Sequence, residues 1–178
     1  MRKIHLVLIA AILFLGGCGY HNPYAASSGS RPITLQRSLW VNKTGEVGLE
    51  NTIYQSLSKW LRKSPLIHLV ENPTLADYVL SGTIDSVDYP ELSYSNNLEA
   101  NELRVNLHVT FSMTARTSGK KVWTIAKTFT ETLNMSGDPA ILRANKLIAL
   151  RKISADIAEM IYLHVIVDIM RPQPGRNN

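Results

Sequence analysis

From Leu103 to Thr114 the chain alternates without a break. Leu103, Val105, Leu107, Val109, Phe111 and Met113 face one way, and Arg104, Asn106, His108, Thr110, Ser112 and Thr114 face the other. A period of two over that length predicts an antiparallel strand with one buried and one wet face. Thr117-Ser118-Gly119-Lys120 then reads as a hairpin turn. Lys121 to Leu133 is the returning strand, with Trp123, Ile125 and Phe129 on its apolar side.

Upstream, Ile33, Leu35, Leu39 and Val41 alternate with Thr34, Gln36, Ser38 and Trp40, which predicts a first strand buried through the former set. Leu49, Ile53, Leu57, Trp60 and Leu61 recur at helical spacing and predict a helix over about 46–63. Pro65 ends it, because the residue before a proline is pushed out of the α region. Leu66 to Val70 is a short apolar strand, parallel to the first by the right-handed crossover rule. Ala76 to Tyr89 is a third strand with Tyr78, Leu80, Gly82 and Ile84 on one face, and its mid-strand glycine predicts a bulge or a close approach from above. Residues 90–101 are polar and read as a long exposed loop. Asp138-Pro139 has the N-cap and first-turn residues of a helix. Apolar spacing from Ile141 to Val165 carries that helix to about residue 168, roughly 45 Å. It either overhangs the sheet or breaks near Ala149–Arg151. The fold class this predicts is α+β: a two-layer sandwich with two helices on one face of a four- to five-stranded mixed sheet.

The first residues have a different pattern. Met1-Arg2-Lys3 is positive, Ile4 to Leu15 is apolar apart from His5, and Gly16-Gly17-Cys18 follows. This reads as a secretory signal, too short to span a bilayer. Leu15-Gly16-Gly17-Cys18 fits the lipobox that is cut before a cysteine. The expectation is a signal segment over 1–17, lipid on Cys18, and a Gly-, Ser- and Pro-rich tether over 18–32. Gly19 in place of Asp after the cysteine points to the outer membrane, periplasmic side, with membrane attachment through the N-terminal lipid. The domain then covers 33–170, and 171–178 is a disordered-looking tail.

Composition changes this picture little. The 178 residues carry 19 Lys and Arg against 14 Asp and Glu, a net +5. That is mildly basic and gives no footprint for nucleic acid. The single cysteine excludes an intramolecular disulfide. The five histidines, His5, His21, His68, His108 and His164, have no metal-ligand spacing. There is no nucleophile elbow and no glycine-rich phosphate loop. Asp85 and Asp88 form the nearest thing to an acid–base pair, and they read more simply as solubilising residues at a strand end. His164 reads as a core or interface histidine. The reading is therefore a protein that is not an enzyme and carries no metal or cofactor.

Several segments resemble one family, in order along the chain. Cys18-Gly19-Tyr20-His21 is similar to the C-G-[YW]-[HR] start of the lipopolysaccharide-assembly lipoproteins of the LptE type. Ser38-Leu39-Trp40-Val41-Asn42-Lys43-Thr44 looks like that family's first strand and turn, and Gly48-Leu49-Glu50 opens the helix similarly. Ala76-Asp77-Tyr78-Val79-Leu80-Ser81-Gly82-Thr83-Ile84 and Ser118-Gly119-Lys120-Lys121-Val122-Trp123 are similar to two further segments. The resemblance implies a lipoprotein that binds the outer-membrane lipopolysaccharide-translocating β-barrel of the LptD type. It would sit in the lumen as a plug, aid barrel assembly and contact lipopolysaccharide. Candidates for the phosphates of that ligand are Lys120 and Lys121 at the hairpin tip, Arg104 on the wet strand face, and Arg143 and Lys146 early in the last helix. The stretch from Ser93 to Asn101 holds no Arg or Lys.

Two rivals remain at this stage. Other periplasmic lipoproteins with a related β-α-β core, such as activators of peptidoglycan synthases and curli-secretion-type proteins, suggest an adaptor docking on a cell-wall synthase. A lipoprotein hydrolase with an unrecognised site is the enzymatic rival. The short tether, at most roughly 50 Å when extended, favours a partner in the same membrane.

Overall fold

The computed structural model describes residues 32–94 and 100–170. The signal segment, the tether with Cys18 and the tail beyond 170 lie outside the described residues. The chain runs through β1 (Ile33–Arg37), β2 (Val41–Asn42), α1 (Leu49–Leu61), β3 (Ile67–Val70), β4 (Tyr78–Asp88), β5 (Glu91–Tyr94), β6 (Ala100–Ala115), β7 (Lys121–Asn134) and α2 (Pro139–Met170).

These strands make one mixed sheet. β1 pairs in parallel with both β3 and β4, and β6 is antiparallel to β4, β5 and β7. β7 occupies one edge of β6 at Glu102 and Leu103, so β5, which pairs with the same residues, continues the lane of β4. β2 likewise continues the lane of β1. The strands therefore fill five lanes: β3, β1 with β2, β4 with β5, β6, and β7. Both helices cover one face, and the architecture is the expected α+β sandwich.

One apolar core joins the layers. Leu35, Leu80, Ile84, Val105, Leu107, Val109, Phe111 and Met113 from the sheet meet Ile53, Leu57 and Leu61 of α1 and Ile153, Ile157, Ile161 and Val165 of α2. Each such side chain contributes about 1.5–3 kcal/mol when fully buried. α1 keeps its predicted stripe but starts later, at Leu49. α2 is continuous across Ala149–Arg151, and at 32 residues it is about 48 Å long. Asp138 caps it as predicted, its Oδ1 accepting from the N–H groups of Ala140 at 2.8 Å and Ile141 at 3.4 Å. The first turns of α2 overhang: Ile141 and Ile148, within the apolar spacing, are exposed, Leu142 is half-buried, and full burial begins at Ala149. The β6–β7 turn closes through Gly119 at φ 64°, a left-handed conformation that glycine adopts without strain.

The first strand departs from the alternation. Leu39 and Val41 are exposed, whereas Trp40 is buried. The register explains it. Arg37 pairs with Leu80 and Val41 with Thr83, so four steps on one side oppose three on the other. The extra residue reverses the facing and turns the indole of Trp40 inward. That indole is what approaches Gly82, since a Cβ at residue 82 would overlap the Trp40 ring. The expected loop over 90–101 contains β5, and residues 95–99 lie outside the described residues.

Gly82→Ala is expected to cost about 1–3 kcal/mol through overpacking against Trp40. Denaturant melts of Gly82→Ala, Trp40→Leu and the double variant check this. Most of the alanine penalty should vanish when Trp40 is already Leu. An equal penalty in both backgrounds contradicts the contact.

Candidate functional site

The face of the sheet opposite the helices is open and polar, and three strands build a hydrogen-bonded network on it. A register shift between Ile84 and Ser86 sets two residues, Asp85 and Ser86, opposite His108. Asp85 and Asp88 are three apart, so in a regular strand they would face opposite ways. The bulge puts both carboxylates on the open face. Asp85 accepts from the Thr110 hydroxyl at 2.7 Å and pairs with Lys43 at 3.3 Å. Asp88 accepts from the Asn106 amide at 2.8 Å and meets His108 Nε2 at 2.9 Å. On the far side, Thr128 Oγ1 lies 2.7 Å from His108 Nδ1, and the Thr130 hydroxyl donates to Asn106 Oδ1 at 3.2 Å. Ser81 and Ser112 share a further bond at 3.2 Å.

Hydrogen bonds from Asn106 first and His108 second hold the Asp88 carboxyl below its ordinary value, against a smaller opposing effect of burial. The order Thr128, His108, Asp88 is that of a nucleophilic relay. Its surroundings are not. The side chains of His108 and Asp88 are 41% and 51% exposed, and the depression above them, lined by Asp85, His108, Thr110, Lys127 and Thr128, is open. Water there screens the charges that a relay needs to stabilise. The arrangement is a flat, largely neutral array of donors and acceptors, suited to meeting another polar surface.

The five candidate cations do not come together. Arg104 lies on the open face, opposite Thr132 of β7. Arg143 is on the helix side at the same end, because Asn145 donates to the carbonyl of Asn134 at 2.9 Å and Asn134 pairs with Glu102. Lys121 is paired with Thr114 and Lys120 precedes it, so both sit at the other end of β6, about 34 Å from Arg104. All four are exposed. Lys146 is occupied within the fold. Its ammonium pairs with Glu46 at 2.5 Å and stands 4.3 Å from the centroid of the Tyr89 ring. The Tyr89 hydroxyl donates to the same Glu46 at 2.8 Å, and burial together with that carboxylate pushes its pKa up. This clasp ties the overhanging start of α2 to the ends of β2 and β4.

His164, expected in a core or interface, is exposed, with its ring centroid 5.9 Å from that of Trp123. Arg37 was not singled out by the sequence. It is buried at a core position of β1, where its guanidinium bonds Ser58, Tyr54 and Glu71, the last two at 3.0 Å. Among the described residues, no group of His, Cys, Asp and Glu could hold a metal ion, and no helix is long and apolar enough to cross a membrane.

The model of the LptE lipopolysaccharide-assembly family matches residues 34–165. No curated protein matches the chain. Among solved structures, lipoprotein B from Nitrosomonas europaea is similar with a TM-score of 0.56 at 13% identity, over 78% of this chain and 85% of that one. Rare lipoprotein B from Shewanella oneidensis gives 0.51 at 15% identity, over 75% and 94%. A lipoprotein from Caulobacter crescentus gives 0.53 at 14% identity, over 75% and 92%. At these identities the likeness is one of fold.

The depressed Asp88 pKa has a testable sign. A carboxyl whose folded value lies below its unfolded one adds stability above the unfolded value and loses it as the pH falls through the folded value. A carboxyl NMR titration should find Asp88 below 3.8. Asp88→Asn should flatten part of the acid limb of the stability profile. Titration at or above the ordinary value contradicts the network.

Proposed function

The chain belongs to the LptE lipopolysaccharide-assembly family, and from that premise we propose that it is an outer-membrane lipoprotein plugging the lumen of the lipopolysaccharide-translocating β-barrel of the LptD type. It is anchored by lipid on Cys18 at the periplasmic side. It aids assembly of the barrel and passage of lipopolysaccharide to the outer leaflet, and it does so by binding, without catalysis.

The observation that carries this reading is the open face. The interior of a transmembrane barrel is polar, so its plug must present hydrogen-bonding groups without a large desolvation cost. The face built from Asp85, Asp88, Asn106, His108, Thr110, Thr128 and Thr130 meets that need. Its groups already satisfy one another, so they lose little when water leaves. The phosphates of lipopolysaccharide call for cations. Arg104 and Arg143 offer one exposed pair and Lys120 and Lys121 another, whereas Lys146 is committed to Glu46.

A pull-down from detergent-solubilised outer membranes tests the proposal. The wild-type chain should retain a barrel-sized partner. Thr128→Glu with Thr130→Glu should reduce that partner at least tenfold at unchanged Tm, because two unpaired carboxylates would enter the contact. Cys18→Ala should leave the domain folded but release it from the membrane fraction. Retention of a peptidoglycan synthase and no barrel contradicts the plug and favours the adaptor reading.

A further inference from the structure

The sheet ends at β7. Among the described residues β7 pairs with β6 alone, so one of its sides carries backbone groups that no strand takes up. Two hydrogen bonds identify them. The N–H of Arg104 donates to the carbonyl of Pro90, on the β5 side of β6, at 2.8 Å, and the N–H of Ala115 donates to the carbonyl of Lys120, on the β7 side, at 2.9 Å. Backbone groups point alternately to the two sides of a strand, and from Arg104 to Ala115 β6 carries no extra residue at its register shifts with β4 and β7. Its even-numbered residues therefore bond to β4 and β5, and its odd-numbered residues bond to β7. Phe111, Val109 and Leu107 hold Ile125, Lys127 and Phe129. Between and beyond these, Thr124, Ala126, Thr128, Thr130 and Thr132 turn both N–H and C=O outward, along about 27 Å. The free side closes at Asn134, whose carbonyl accepts from Asn145 of α2 at 2.9 Å.

Edge strands are ordinarily blunted by charge, proline or a bulge. The outward row has none of these: it is four threonines and an alanine, all exposed, and the bulge at Val122 lies before it. The charges of the helix-facing row are engaged. Lys127 lies 3.4 Å from the sulfur of Met160, and Glu131 pairs with Lys152 at 2.8 Å. With the ring of His164 beside that of Trp123, these contacts lay α2 antiparallel along β7. One flank of α2 is taken by α1, through Tyr162 and Trp60. On the other, Leu163 and Val167 share the stripe of Met160, three and seven residues on, and are 41% and 48% exposed. The free side of β7 is thus a groove, with unpaired backbone along it and an apolar shelf above its Thr124 end.

We propose that this groove takes an added β-strand: an extended segment of the barrel partner that lies in the lumen and pairs with β7 between Thr124 and Thr132. The proposal rests on the plug reading. The outward residues carry their side chains on the open face, opposite Ser112, Thr110, His108, Asn106 and Arg104, so a plug that buries that face buries this edge with it. The side chains of Thr128 and Thr130 already have partners. The backbone groups of the edge need them, because burial without a hydrogen bond is costly. The strands of a closed barrel cannot supply them, since their own backbone bonds are used within the wall. The occupant is therefore chain that enters the lumen without belonging to the wall. An added strand gains affinity from main-chain bonds and specificity from alternate side chains. Here the side chains toward the open face are polar, beside the threonines. Those toward α2 are apolar near Thr124, against Leu163 and Val167.

Proline placement along β7 tests this, with the barrel retained from detergent-solubilised outer membranes as the readout. Ala126→Pro removes an N–H that points to the free side, so Tm should stay near that of the wild type while the retained barrel falls at least tenfold. Lys127→Pro removes an N–H that bonds β6, so Tm should drop. Leu163→Glu with Val167→Glu should also cut retention at unchanged Tm, and it leaves the backbone of β7 intact. An equal loss of Tm in the two proline variants overturns the assignment of the free side. Undiminished retention of the barrel by Ala126→Pro, or by the Leu163 and Val167 variant, overturns the added strand and leaves the plug standing. A wild-type chain that retains no barrel overturns the plug first. Sedimentation that shows a dimer for the wild type and a monomer for Ala126→Pro also overturns the proposal, and gives the edge to a second copy of the chain.

Discussion

Everything in this fold depends on the two-faced burial of β6. The strand is the longest of the sheet, bonded to β4 and β5 on one side and to β7 on the other. Val105, Leu107, Val109, Phe111 and Met113 are at most 2% exposed, and they oblige two helices to cover that face. The same alternation obliges Asn106, His108, Thr110 and Ser112 to project from the other. No residue on β6 can change face without moving every neighbour, because a slip of one residue inverts the whole strand. The core and the polar surface are therefore two consequences of one register.

That register was legible in the sequence wherever periodicity was unbroken. β6, β7, α1 and the Asp138 cap follow from residue spacing and from local side-chain to backbone bonds, which act over a few residues. The exceptions arise where the count of residues differs between neighbouring strands. One extra residue between Arg37 and Val41 turns Trp40 inward and Leu39 outward, and the cause lies in the pairing with Leu80 and Thr83, more than forty positions away. The glycine at 82 was the visible half of that contact; the tryptophan above it was the hidden half.

The polar face was legible only in part. Its residue types could be read from β6, but the network could not, because it needs the register of three strands and a bulge at Asp85. Asp85 and Asp88 read as solubilising acids at a strand end, and the bulge places both on the open face against His108, Asn106 and Thr110. Lys146 shows the converse. It reads in sequence as an available cation, and in the fold it closes a clasp with Glu46 and Tyr89. Arg37 sits where alternation calls for an apolar residue, and Ser58, Tyr54 and Glu71 make that burial tolerable.

A chain of the lipopolysaccharide-assembly family is thus organised around a division of labour between its surfaces. The helices seal one side of the sheet, and the other presents satisfied polar groups, which the proposed function sets against a polar barrel interior. On the proposed function, the open face is the surface covered in the envelope. Photo-crosslinking in intact cells, with the reactive side chain placed at Thr128 on the open face or at Glu159 on the outer surface of α2, tests it most directly. Crosslinks to the β-barrel from Thr128 and none from Glu159 are expected. Crosslinks from Glu159 with none from Thr128 would contradict the account.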